Sequence, residues 1–280
     1  MQPNSFLWKT LEFYGTKVRH RGKWRVHNYL RTILRADYDG DLEVQRQGLH
    51  WRLNPSDFVQ THLYWTGEYE TWDLLHLSRY ARPGSVVFDI GANFGYYSIV
   101  LASLMRGAGH VFAFEPSKGT FSRLQINIAM NQFESSITAT RCGLSDKPGT
   151  THLEEVAGNS GATTFALDER GETIVLETLD NFCKVHQVER MDLIKVDVEG
   201  NELRVLEGSR ESLIRWSPVL MVEFNQSALE RAGTSVEKLV EFLRETGYEL
   251  FVAKRDQMVP FQSASQESMI VNVFCIPKTA

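Results

Sequence analysis

The stretch VVFDIGANFGYYS, Val86–Ser98, constrains the fold of this chain more than any other. Strand-forming residues run into a turn holding Gly91 and Gly95. The turn runs into YYSIVLASLM, apolar nearly all round and so predicted to be a buried helix. A strand passing through a glycine turn into a helix is the opening unit of a parallel sheet. The pattern then repeats. HVFAFE (His110–Glu115) reads as a second strand, followed by a helix with Phe121, Leu124 and Ile128 on one face. ITATRCGL reads as a third strand, DLIKVD (Asp192–Asp197) as a fourth and VLMVEF (Val219–Phe224) as a fifth. A helix with Val236, Leu239, Val240 and Leu243 at i, i+3, i+4, i+7 follows; a Thr234-x-x-Glu237 capping box opens it and Gly247 stops it. ELFVA and MIVNVFCI close the pattern as two more strands. Alternation of this kind predicts an α/β fold, a mostly parallel sheet with helices on both faces.

Two regions break the alternation. Residues 1–65 read as an N-terminal extension with a hairpin turning near Gln47-Gly48, and residues 66–280 as the sheet domain. TGEYETWDLLHLSRY, from Thr66, reads as a short helix ending before the Arg82-Pro83-Gly84 turn. Near 147–178, THLEEV, GNSGATTF and ETIVLETLD suggest an inserted hairpin or flap. Charge is also uneven. The chain carries −5, yet residues 1–35 hold eight cations against Glu12 alone, a net +7. Such an arm either faces anions or a membrane surface, or packs against the acidic remainder. The net charge argues against a nucleic-acid binder. Cys142, Cys183 and Cys275 are too few and too far apart for a disulfide framework or a C-x-x-C site, which points to a reducing, cytoplasmic setting. No apolar run reaches the ~18 residues of a membrane span, and the N-terminus lacks secretory-signal features.

Open parallel sheets bind ligands at the carboxyl ends of their strands. Asp89, Glu115, Asp146, Asp197 and Glu223 all fall at or just past such an end. Asn93 stands where a dinucleotide loop would place its middle glycine, and Asn tolerates positive φ better than most residues. Glu115 follows Gly95 by 20 residues, the spacing for a carboxylate on ribose hydroxyls. Acids at three strand ends, and no cation in the loop, favour S-adenosylmethionine (SAM) over NAD. Asp89 suits the ammonium of its amino-acid end and Asp146 the adenine amino group.

The motifs TGEYE, FDIGANFGYYS, FEPS, LSD, ETLD, IKVDVEGNE and MVEF occur in the order in which they occur in the FkbM family of SAM-dependent methyltransferases, which the chain resembles from about Tyr64 to Pro277. The resemblance implies the class I methyltransferase Rossmann-like sheet of seven strands, the last ones antiparallel. It implies cofactor contacts at Asp89, Gly91, Asn93, Gly95, Ser98, Glu115, Pro116 and Asp146, with Tyr69 and Glu70 helping to close the pocket. It also implies O-methylation of a hydroxyl on a natural product, sugar or glycan. A homo-oligomer is compatible with this reading, and no nucleic-acid partner is expected.

Transfer of a methyl group to an alcohol requires a proton to leave, through a general base or a metal. Asp197 is the first candidate for either role, with Glu223 beside it. Asp197, Glu223 and Asn225 would together make an all-oxygen site for Mg²⁺. Asn159, Ser160 and Glu199 are candidate acceptor contacts. Glu202 reads as a first-turn acid stabilising its helix, and Lys195 as the partner of a neighbouring acid. The alternatives are an NAD-type oxidoreductase and a non-enzymatic cofactor-binding scaffold whose basic arm recruits a partner.

Overall fold

The computed structural model describes residues 2–3, 5–156, 159–165, 171–262 and 270–278, and of 154–156 and 159–165 the backbone alone. Two compact units emerge: residues 1–71 with 156–161, and residues 72–155 with 162–280.

In the first unit, helices Phe6–Lys17, Lys23–Ile33 and Gln60–Thr66 accompany an antiparallel hairpin, Leu42–Arg46 with Leu49–Leu53. The hairpin turns through Gln47 and Gly48, with φ of 54° and 80°, the paired left-handed conformations of a tight two-residue turn. Trp8, Trp51 and Trp65 are fully buried, and each indole N–H finds an acceptor: Tyr64 Oη, Arg46 O and Pro55 O respectively. Trp51 and Trp65 are therefore core residues. The single helix expected from Thr66 does not form. Thr66 ends the helix begun at Gln60, Gly67 caps it at φ 70°, and a new helix runs Thr71–Leu77.

The second unit is built on an eight-stranded sheet. From one edge its order is Gln257–Pro260, Tyr248–Lys254, Ile270–Pro277, Val219–Asn225, Leu193–Val196, Val86–Ile90, His110–Phe114 and Ile137–Thr140. The strands from Val219 to Ile137 run parallel, whereas Ile270–Pro277 runs antiparallel to both its neighbours. This is the class I methyltransferase arrangement, with one strand more than the seven expected: Gln257–Pro260 folds back on Tyr248–Lys254 as an edge hairpin. Val86–Ile90 sits where the order reverses, its neighbours being Leu193–Val196 and His110–Phe114, so its carboxyl end opens at the switch point.

Two local expectations need correction. ITATRCGL is not one strand: Ile137–Thr140 joins the large sheet, and Gly143–Leu144 joins a second, four-stranded sheet. That second sheet orders Gly143–Leu144, Glu172–Glu177, Gly149–Val156 and Asn159–Phe165, the last three strands coming from the region read as an inserted hairpin or flap. The N-cap of Val236–Glu245 is Ser235, whose hydroxyl accepts the Lys238 N–H; Thr234 stands one residue too early. Helix Tyr96–Met105 is buried on nearly every side, as its composition requires.

Candidate active site

The loop after Val86–Ile90 takes left-handed conformations at alternate residues: φ is 78° at Gly91, 50° at Asn93 and 95° at Gly95. At Gly91 a Cβ would run into the Asp197 carbonyl oxygen, so only glycine fits. A Cβ at Gly95 would lie 2.6 Å from Leu124 Cδ1. Residue 93 already carries a Cβ, and an asparagine tolerates the left-handed turn. Its side-chain oxygen accepts the Phe94 N–H at 2.7 Å, and Asn127 holds the Phe94 carbonyl at 2.9 Å.

Glu115 closes the loop from the neighbouring strand. Its carboxylate accepts the Asn93 N–H at 2.9 Å through one oxygen and the Ser117 N–H at 3.0 Å through the other. A carboxylate has about four acceptor sites, so lone pairs remain for further donors. Burial pushes its pKa up to about 7, against the pull of those two N–H groups.

Asp89 is completely buried. One oxygen accepts the Ser98 hydroxyl, and the other lies 3.7 Å from Lys195 Nζ and accepts no hydrogen bond. Ser98 thus orients Asp89. Lys195 is the register partner of Asp89 on the adjacent strand. Its ammonium also donates to the Gly91 carbonyl at 2.9 Å and lies 3.2 Å from Asp197. Pairing with one neighbouring acid was expected; the structure instead makes Lys195 the cation that ties the glycine loop to two strand ends.

Across the next strand pair, Val196 is in register with Val222, which sets Asp197 next to Glu223. Glu199 joins them: the three carboxylates each bring an oxygen within 4.8 Å of the others. Glu199 gets there through a left-handed backbone, φ 53°, before Gly200 at 105°. Burial, then the nearby Asp197 charge, pushes Glu199 up to about 8. Glu223 is pushed up to about 9 by burial, then by Asp197 and Glu199. Glu202 is fully buried, and one oxygen accepts the N–H groups of Val198 and Gly200 at 3.1 Å each, stitching the turn that carries Glu199. Its pKa rises to about 7, mainly through burial. A first-turn helix acid was expected here; the helix does start at Glu202, but the side chain reaches back to the loop.

Asn225 directs its side-chain oxygen to the Ala228 N–H as the N-cap of Gln226–Arg231, which commits one lone pair of a proposed metal ligand. Asp146 is exposed and accepts the Ser145 hydroxyl. Gly208 leaves room for that turn, because a Cβ there would strike the Ser145 carbonyl. Pro116 lies half-buried beside Gly143. The side chains of Asn159 and Ser160 lie outside the described residues, and Tyr69 and Glu70 belong to the first unit, Glu70 with φ 43°.

The profile of a family described as "Methyltransferase FkbM domain" matches residues 89–250, which span the glycine loop, Glu115 and the acid cluster. The chain belongs to this family. Among relatives of this chain, the hexuronic acid methyltransferase AglP of Haloferax volcanii is 31% identical over 133 residues, 48% of this chain and 53% of AglP. The chain thus matches about half the length of that relative. Methyltransferase sdnD of Sordaria araneosa is 31% identical over 54% of this chain and 74% of its own. The 31-O-demethyl-FK506 methyltransferase FkbM of Streptomyces tacrolimicus is 26% identical over 63% of this chain and 77% of its own. A solved methyltransferase FkbM from Methylobacillus flagellatus is 18% identical, with a TM-score of 0.48 over 76% of this chain and 52% of its own.

The buried acids make a stability prediction for this FkbM-family protein. Glu115, Glu199, Glu202 and Glu223 hold protons in the folded chain at pH values where the unfolded chain, with carboxyls near 4.5, has released them. Their stabilisation is complete below that value and is lost as pH rises through about 7 to 9. His27 acts oppositely, since burial pushes it down to about 4, but its effect ends near its unfolded value of 6.5. The melting temperature of the ligand-free protein should therefore fall between pH 7 and pH 9. Differential scanning fluorimetry reads this directly, and a flat or rising profile would contradict the buried, protonated acids.

Proposed function

We propose that this chain is a SAM-dependent O-methyltransferase acting on a hydroxyl of a small-molecule natural product or of a sugar or glycan. The observation that carries the reading is the pairing of Glu115 with the glycine loop at the switch point. A buried carboxylate held there by two backbone N–H groups, with lone pairs to spare, suits a ribose diol. Membership of a methyltransferase family opposes the NAD-type reading. The names of two relatives, a hexuronic acid methyltransferase and a 31-O-demethyl-FK506 methyltransferase, support a hydroxylated acceptor.

Bound SAM would supply an electrophilic methyl on a sulfonium. Glu115 would hold the ribose hydroxyls, Asp146 with Pro116 the adenine, and Asp89 the ammonium. Ser98 and Lys195 orient Asp89. Asp197 takes the proton of the acceptor hydroxyl, and Glu223 and Glu199 position that hydroxyl. The donor set also fits a hard divalent cation such as Mg²⁺, which Asp197, Glu199 and Glu223 would hold with Asn225 nearby.

Thermal shift tests the cofactor. S-adenosylhomocysteine at about 100 times its Kd should raise the melting temperature by about 5 °C, whereas NAD should leave it unchanged. A shift with NAD and none with S-adenosylhomocysteine would overturn the reading.

A further inference from the structure

Within the first unit, Phe6–Lys17 and Lys23–Ile33 pack on one another, and each buries one face: Trp8, Leu11 and Gly15 on one helix, His27 and Arg31 on the other. The opposite faces are not polar. On the first helix Phe6 is 84% exposed and Phe13 62%, and helical spacing sets Lys9 and Lys17 in the same stripe. On the second, Val26, Tyr29 and Ile33 share an exposed face, with Tyr29 66% exposed and Arg25 adjacent. Arg19 and Arg21 are exposed in the link between the helices.

Within the first unit, the exposed cations of this arm are not spent on neighbouring acids. Among the described residues Lys9, Lys17, Arg19, Arg21 and Arg25 form no salt bridge, although acids follow at Asp37, Asp39, Asp41 and Glu43. The two ion pairs these helices do make, Arg31 with Asp37 and Glu12 with Arg46, involve largely buried Arg partners; the second consumes the only acid of residues 1–35. What faces outward is a surface of aromatic and aliphatic side chains interleaved with cations and carrying no acid. A protein partner complementary to it would have to interleave acids with apolar pockets at matching spacing. A bilayer bearing anionic headgroups offers both chemistries everywhere, with no register to match.

We propose that the outer faces of these two helices dock the protein peripherally on an anionic lipid bilayer, with Phe6, Phe13, Tyr29 and Ile33 entering the interface and the cations engaging headgroups. No helix of the described residues is long and apolar enough to cross a membrane; the attachment proposed is peripheral, through exposed side chains.

Flotation of the full-length protein with vesicles tests this. Vesicles of phosphatidylcholine containing about 30% phosphatidylglycerol should carry the protein, and vesicles of phosphatidylcholine alone should carry far less. About 0.5 M salt, which shortens the screening length to roughly 4 Å, should release most of it. Lys9→Glu with Lys17→Glu should weaken binding about 25-fold or more, and Phe6→Ser with Phe13→Ser at least about tenfold. These side chains are exposed, so melting temperature and S-adenosylhomocysteine binding should be unchanged. Reversal of Lys238 and Lys254, exposed cations of the second unit, should leave vesicle binding intact. Equal recovery on neutral and anionic vesicles, or wild-type recovery of both arm variants, would overturn the proposal. So would a dimer broken by Phe6→Ser with Phe13→Ser in protein that ignores vesicles, which would assign the surface to a second copy of the chain.

Discussion

Asp197→Asn is expected to lower kcat by about 10²–10⁴-fold, the usual contribution of a positioned general base, while S-adenosylhomocysteine binds within about threefold of wild type. Asp197 stands at the end of Leu193–Val196, in contact with Lys195 and grouped with Glu199 and Glu223. The amide keeps the shape but cannot accept the acceptor's proton. Lys195 retains Asp89 and the Gly91 carbonyl, so the glycine loop stays in place. The substitution also removes the charge that helps to raise Glu199 and Glu223, and their pKa values should fall. Single-turnover kinetics with binding measured by calorimetry separates the two effects; near-normal turnover would remove Asp197 from its assigned role. Wild-type turnover in excess chelator distinguishes two uses of the same carboxylates. Loss restored by Mg²⁺ makes them ligands, and full activity leaves them to the acceptor.

Glu115→Gln should weaken S-adenosylhomocysteine binding by about 10²–10³-fold, the loss of one or two charge-assisted hydrogen bonds. Glutamine keeps the volume but presents an N–H₂ group where the carboxylate accepts from Asn93 or Ser117, so one backbone N–H is left without its acceptor. A pH signature separates this from general damage. The free carboxyl titrates near 7, and hydroxyl donors favour its charged form, so wild-type affinity should fall as pH drops below that value. The Gln variant should be weak and flat across the same range. An unchanged affinity, or a variant keeping the wild-type pH slope, would show that Glu115 is not the ribose acceptor.

Much of the geometry of the candidate site was legible because its signals are local. Asp89, Glu115, Asp197 and Glu223 lie at strand ends, and period-two apolar runs mark where strands stop. The left-handed turn at Asn93 was readable from residue type. Short-range competition was not. Ser235 and Thr234 are adjacent capping residues of similar strength, and the sequence does not say which hydroxyl reaches an N–H. At Thr66–Gly67 a helix was read as starting where one ends, because a C-capping glycine and an N-terminal threonine lie side by side.

By itself the sequence determined the alternation of strands and helices, the glycine loop with its spaced acid, and hence the family. Only the tertiary structure decided what meets what. Lys195 lies 106 residues beyond Asp89, and strand register alone brings them together. Register also pairs Val196 with Val222, and the stitching of the turn by Glu202 swings Glu199 into the group of Asp197 and Glu223. Likewise the sequence fixes the charge of residues 1–35, but only folding shows which cations turn outward beside exposed aromatics. The physical reason is common to these cases. Periodicity and turn chemistry are set by neighbours along the chain, whereas register and burial are set by how intervening helices pack, a property of the whole core.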